Sequence, residues 1–320
     1  MSASKASVAL ISVASAAIIA TVYGQAGLGV FALLRVLPAV CMVVTDPGFS
    51  HAIPFLSGNR KISESSLIGS CILVYSVVSI LQVTLWLLIS PLLKNYLLSP
   101  VPISAVYLAA VLVPAQSVMI VIVNILRARF QYNLANLVPL VFEVMILLST
   151  ASVAYWLNPD FSSLVYLLIF SSVISLFVGA ICIVTGGGFL LSEINKKVIT
   201  EGIRFGIKSQ IGNGLQILNY RLDHLVLGFF LTPEKVAVYF VATKSIEFFR
   251  FFTASIVFVF EPIFSMQKID NAKQRVQKML LPLFLLNVSL LSIGVVIAPI
   301  IYPFVFGGWS SEASEPLIIL

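Results

Sequence analysis

The chain has 320 residues, 59% hydrophobic and only 10% charged, with a mean hydropathy of +1.06. A soluble domain carries about a quarter charged residues, so this much apolar surface excludes an ordinary soluble enzyme. The net charge of +6 does not indicate nucleic-acid binding, because the basic residues sit in short loops between apolar runs rather than on one face.

Runs of about 20 apolar residues recur along the whole length, each long enough to cross a bilayer as a helix. The chain reads as an all-α, polytopic membrane protein. Helix 1 is expected at about Ser4–Tyr23, helix 2 at Leu28–Leu56, helix 3 at Ser66–Leu92 and helix 4 at Ile103–Ala128. Helix 5 follows at Leu134–Leu157, helix 6 at Ser162–Thr185, helix 7 at Gly202–Leu231, helix 8 at Lys235–Met266 and helix 9 at Val276–Phe306. A tenth begins near Glu315 and is cut off at Leu320. The N-terminal segment has two readings: a first spanning helix, or a secretory signal with Lys5 in its basic region and Ala14-Ser15-Ala16 as cleavage site. Loop charges favour the first. Lys and Arg fill the 2–3, 4–5, 6–7 and 8–9 loops and nearly avoid the alternate ones, which places the N-terminus and every even-numbered loop in the cytoplasm.

Catalytic signatures are missing from this pattern. Thr185-Gly186-Gly187-Gly188 lacks the Lys-Ser/Thr of a phosphate loop, and Gly24-Gln25-Ala26-Gly27-Leu28-Gly29 has the wrong spacing for a dinucleotide fold. Cys41, Cys71 and Cys182 are scattered, and His51 and His224 are far apart, so neither a disulfide framework nor a metal site is expected. No cofactor is implied, and any transport is secondary, driven by an ion or substrate gradient.

Charges inside the apolar runs carry the functional signal, because an ionisable group at membrane depth requires a partner or a function. Arg221, Asp223 and His224 lie on helix 7, and Lys244, Glu247 and Arg250 on helix 8. By helix rise, Arg221 lies about 15 Å and Asp223 about 12 Å from the outer end of their helix, with Lys244 at about 13 Å and Glu247 at about 18 Å on the next. That matches Asp223 with Lys244 and Arg221 with Glu247. The alternatives are interhelical salt bridges that fix the hairpin, or a polar wall of a cavity for an anionic or sugar-bearing substrate. Arg250 is left over after pairing. Arg35 on helix 2 has no acidic residue at its level, since Glu143 on helix 5 is about 11 Å lower, and it reads as cavity-lining. Glu143 is either a coupling site or a carboxylate kept protonated in the bundle. Asp46-Pro47-Gly48 should break helix 2, with Asp46 capping the broken segment.

Arg221-Leu222-Asp223-His224-Leu225-Val226-Leu227-Gly228 followed by Val236-Ala237-Val238-Tyr239-Phe240-Val241-Ala242 resembles the start of the second half of polysaccharide flippases. Gly27 to Ala32, Asp46 to Ser50 and Ile125 to Phe130 resemble the same group, the Wzx-like O-antigen flippases of the MOP (MATE-like) exporter superfamily. The resemblance implies a two-lobe helical bundle, here with residues 1–190 as a six-helix lobe and 191–320 as an incomplete second lobe. It implies a bacterial inner-membrane flippase rather than an enzyme, working by alternating access around a central cationic cavity. The substrate would be a polyprenyl-pyrophosphate-linked oligosaccharide, bound by Arg35, Arg221, Lys244 and Arg250, with Glu143, Asp223 and Glu247 in coupling or structural pairing. Partners would be membrane lipids and the glycosyltransferases or polymerase of the pathway, with no nucleic acid. Alternatives are a cation-coupled multidrug exporter of the same superfamily and a membrane polymerase or ligase of lipid-linked sugars.

Overall fold

The computed structural model describes residues 2–58, 62–156, 159–187, 193–247 and 269–319. Arg250, the Arg60-Lys61 pair and the second half of expected helix 8 lie outside the described residues. Among those described, the secondary structure is helical throughout, as the apolar runs require when no water is present to satisfy exposed backbone groups.

The first helical segment, α1 (Ser2–Thr45), is two arms rather than one rod. Gly24 has φ 70° and ψ −172°, a backbone region open essentially to glycine alone. The fold-back is visible in Arg35 Nη1, which donates to Ser12 Oγ at 3.5 Å. Twenty-three residues of straight helix would separate these groups by about 35 Å. The largely apolar segment Ala6–Thr45, 40 residues long, is therefore folded into two arms each long enough to cross a membrane, as the turn at Tyr23–Gly27 leads one to expect.

Expected helix 2 is broken at the Asp-Pro-Gly step. Gly48 adopts φ 77°, and Asp46 Oδ1 accepts the Gly48 N–H at 2.7 Å, so a short α2 (Phe49–Ser57) leaves at a new angle. Next come α3 (Glu64–Tyr96), α4 (Ile103–Leu108) continued through a 3₁₀ turn into α5 (Leu112–Ala128), α6 (Tyr132–Trp156) and α7 (Phe161–Gly187). Ser63 caps α3 by accepting the Ser66 N–H at 3.2 Å. Helix α8 (Lys196–Phe230) begins a turn and a half before the expected Gly202, because Asn195 Oδ1 caps it through the N–H groups of Lys197 and Val198. At 35 residues it is about 52 Å long, so its basic first turns extend beyond a membrane about 30 Å thick. Helix α9 occupies residues 233–247, α10 runs Ile269–Phe306, and a 3₁₀ turn leads to the short α11 (Ser314–Ile319) where a tenth helix was expected.

Helix α1 is the hub and packs on α3, α5, α6, α7, α8 and α10. Its second arm, continued by α2, runs antiparallel to α8. Contacts step from Gln25 with the Glu234 carbonyl and Gly29 with Pro233 at the start of α9, through Leu33 with Gly228 and Val43 with Gln210 of α8, to Gly48 with Gly206 and Phe49 with Gly202. Glycine recurs because the backbones touch: a Cβ on Gly29 would sit 1.8 Å from the Pro233 oxygen. Apolar residues left exposed on the outside, such as Val77, Leu88, Phe177 and Phe304, are the surface a helical bundle presents to lipid.

Candidate functional site

Five of the intramembrane charges form one cluster drawn from four helices. Arg35 from α1 makes a two-pronged ion pair with Glu143 of α6: Nη2 donates to Oε1, and Nη1 to Oε2 at 3.2 Å. The depth estimate that separated these two is thus corrected. Helix rise measures depth only along one axis, and the helices tilt while the arginine arm spans several ångströms. Arg35 is not an unpaired cation.

On α9, Lys244 Nζ donates to Glu247 Oε2 at 2.8 Å, and Glu247 Oε1 lies 3.4 Å from Arg221 Nη1 of α8. The Arg221–Glu247 match read from depth is present. The match of Asp223 with Lys244 is not, because Lys244 finds its carboxylate one turn along its own helix and Asp223 is taken by other donors. Arg35 is also within electrostatic reach of Lys244 and Glu247, joining the two halves. Three cations and two carboxylates leave a net charge of +1 (3 − 2). Exposure rises across the cluster, from 6% at the Glu143 side chain to 33% at Arg221 and 40% at Glu247. Glu143 is thus the buried end of the cluster, and Arg221 and Glu247 its more exposed end.

Aromatic rings complete the cluster, and sequence reasoning did not assign them. The Arg35 guanidinium lies 5.7 Å from the Phe31 ring centre and 5.8 Å from that of Phe142, and Lys244 Nζ lies 5.4 Å from Phe240. Phe31 and Phe240 meet edge to face at 6.4 Å. The segments Phe31-Ala-Leu-Leu-Arg35 and Phe240-Val-Ala-Thr-Lys244 use the same four-residue step, which stacks a cation over its own ring on a helix. That repeated spacing is legible in the sequence and would have found both rings.

Asp223 and His224 form a second polar group with α9. Asp223 accepts from the Tyr239 hydroxyl, from the His224 backbone N–H at 2.8 Å and faces His224 Nδ1 at 3.0 Å, while His224 Nε2 meets Thr243 Oγ1 at 3.3 Å. Asp223 also borders a groove of about 680 Å³ together with Asn219, Leu222, Val226 and Tyr239. A third group is structural: Tyr75 donates to Asp46 and accepts the Ser50 N–H at 2.9 Å, pinning the α1–α2 break to α3. Among the described residues, no three His, Cys, Asp or Glu side chains converge in a way that could hold a metal ion.

The sequence matches the polysaccharide biosynthesis protein family over residues 18–312. The chain belongs to that family. No curated protein matches it. Among solved structures it is similar to one described as the inward-facing conformation of a multidrug resistance MATE family transporter of the MOP superfamily. That likeness has a TM-score of 0.62 at 15% identity, over 97% of this chain and 75% of the other. At that identity the likeness establishes the fold: a MATE-like, multi-pass helical bundle, as the resemblance implied.

Proposed function

We propose that the chain is a flippase that moves a polyprenyl-pyrophosphate-linked oligosaccharide across a bacterial inner membrane by alternating access, with its N-terminus in the cytoplasm. The observation that carries this reading is the cation cluster at the α1–α9 contact, where two Phe-cation units from different parts of the chain meet. A guanidinium binds phosphate oxygens through two parallel hydrogen bonds, and an ammonium adds a point charge. Glu143 and Glu247 hold the three cations when no ligand is bound. A pyrophosphate that displaces Glu247 from the more exposed end meets Arg221 and Lys244 first. The aromatic faces suit sugar rings or the apolar lipid next to the phosphates. The family's role in polysaccharide synthesis supports a substrate of this class.

Lys244→Ala is the direct test. It should lower surface polysaccharide at least tenfold, with unchanged protein in the membrane, and weaken binding of polyprenyl pyrophosphate but not of the polyprenyl alcohol. Normal polysaccharide in the Lys244→Ala/Arg221→Gln double variant would refute the assignment. Export of small apolar cations is the second reading. It is favoured by the apolar groove with its single carboxylate, Asp223, and by the multidrug transport named for the similar structure. It predicts drug sensitivity, with no polysaccharide defect, in Asp223→Asn.

A further inference from the structure

Where α3 begins, a polar cavity adjoins an apolar groove. The cavity, about 240 Å³, lies between the start of α3 and the end of α5, with Ser57, Ser63, Glu64 and Arg129 among its walls. The groove, about 260 Å³, continues along the same two helices past Ile72, Ser76, Val118 and Ile122. Ile68 and Ile125 line both spaces, so the two are continuous. Ser76 and Ser79 donate their hydroxyl hydrogens to carbonyls one turn back on α3, and so add no free donor to the groove. From Ile68 to Ser79 the helix rises about 16 Å, close to half of a hydrocarbon core about 30 Å thick. The groove therefore has the depth of one lipid leaflet.

Arg129 is fixed in the cavity wall at two of its three nitrogens. Nη1 donates to the Ile183 carbonyl of α7 at 2.7 Å, and Nε donates to Glu64 of α3. Nη2 is buried and has no hydrogen-bond partner among the described residues. Nε and Nη2 form one edge of the guanidinium, a fork that an oxyanion grips with two parallel bonds. Glu64 occupies one tine, and leaving the other buried and unsatisfied is costly. The remaining polar groups of the cavity are acceptors. The Glu64 side chain is 43% exposed, while Ser57 and Ser63 donate their hydrogens to the Pro54 carbonyl at 2.9 Å and to Ser66 Oγ at 2.8 Å. A ligand that fits brings an anion for the Arg129 fork, a hydrogen-bonding cation for Glu64 and a hydrocarbon chain for the groove.

We infer that the cavity and groove together bind a membrane phospholipid with a primary ammonium head, of the phosphatidylethanolamine kind. The phosphate takes the Nε–Nη2 edge of Arg129. The ammonium draws Glu64 off that edge and donates to its carboxylate and to Ser57, and one acyl chain lies along the groove between α3 and α5. Charge is balanced throughout, because the Arg129–Glu64 pair and the zwitterionic head are each neutral. An anionic head without the ammonium leaves Glu64 uncompensated, and a choline head has no N–H to donate. None of these residues belongs to the cation cluster, and the site does not rest on the transport reading.

The test is native mass spectrometry of the full chain released from nanodiscs made of equal parts dioleoyl phosphatidylethanolamine, phosphatidylglycerol and phosphatidylcholine. The chain should retain phosphatidylethanolamine about tenfold more than either other lipid, the factor that one charge-assisted hydrogen bond supplies. Arg129→Gln should lower that retention about tenfold. Arg127→Gln, at an exposed position on the same helix, should leave it unchanged. Glu64→Gln removes the ammonium's partner and frees the cation, and should shift the preference to phosphatidylglycerol. Arg129→Gln also cuts the tie to α7, so Ser76→Trp gives an independent check. It fills the groove from an exposed position on α3, and should lower retention with the melting temperature preserved. Equal retention of the three lipids, or a preference for phosphatidylglycerol in the unaltered protein, overturns the inference. So does retention that survives both Arg129→Gln and Ser76→Trp.

Discussion

Arg35 shows how a charge inside a bilayer is accommodated. Its guanidinium is held by both oxygens of Glu143, by Ser12 and by two phenylalanine faces, so burial leaves little of it unsatisfied. Removing one member leaves a buried charge alone, which costs about 3–5 kcal/mol, whereas replacing both members by apolar residues of similar size is often neutral. Arg35→Met and Glu143→Leu should each lower stability by about 3 kcal/mol, and the double variant should regain most of it. Thermal unfolding in detergent reads this directly. On the flippase reading, polysaccharide export should stay lost in the double variant, which separates the structural role of the pair from the proposed role in binding. That a charge lay at membrane depth was legible in the sequence. Its partner was not, because pairing depends on helix tilt and on which helices are neighbours. The same reason explains why Asp223 and Lys244, level in sequence, take different partners.

At the scale of elements, the contact between α8 and the second arm of α1 decides how closely the two parts of the chain approach. The buried face of α8 carries Gly202, Gly206, Gln210 and Gly214 at four-residue spacing, with Gly228 further along. A Cβ on Gly206 would lie 2.5 Å from the Gly48 carbonyl oxygen, which belongs to backbone that cannot move aside. Gly206→Ala should therefore destabilise the protein by about 1–3 kcal/mol through overpacking. Gly212→Ala on the same helix has open space around its Cβ and should be neutral or stabilising by up to about 1 kcal/mol. Comparing the two melting temperatures isolates the contact from helix propensity. At Gly24 the constraint is conformational instead of steric, and Gly24→Ala should cost about 1–3 kcal/mol although nothing lies within 4 Å of the added carbon.

For the whole molecule, α8 touches the N-terminal helices near both of its ends. At one end Gly48 meets Gly206 and the Phe55 ring stacks on Phe205 at 4.5 Å. At the other, Tyr96 stacks on Phe229 at 4.8 Å. Under the proposed alternating access, one of these ends separates in each half of the cycle. A short bifunctional thiol cross-linker on Tyr96→Cys/Phe229→Cys should stop export, while a monofunctional reagent on the same variant should not. Cys41, Cys71 and Cys182 are buried and will not compete for the reagent. Export that continues in fully cross-linked protein would show that this end stays closed throughout.

Read without its fold, the chain already told its class, an all-helical multi-pass membrane protein, and most of its helices and breaks, including the Asp-Pro-Gly step. Apolar run length, glycine and proline are local properties, and a bilayer enforces them segment by segment. It also showed which charges were costly enough to need explaining. Packing in three dimensions was needed to give Arg35 to Glu143, to bring two Phe-cation units together across α1 and α9, and to turn Asp223 to His224 and Tyr239. Those outcomes depend on tilt, rotation and neighbour choice among helices, and residue spacing along one chain does not encode the distance between two of them.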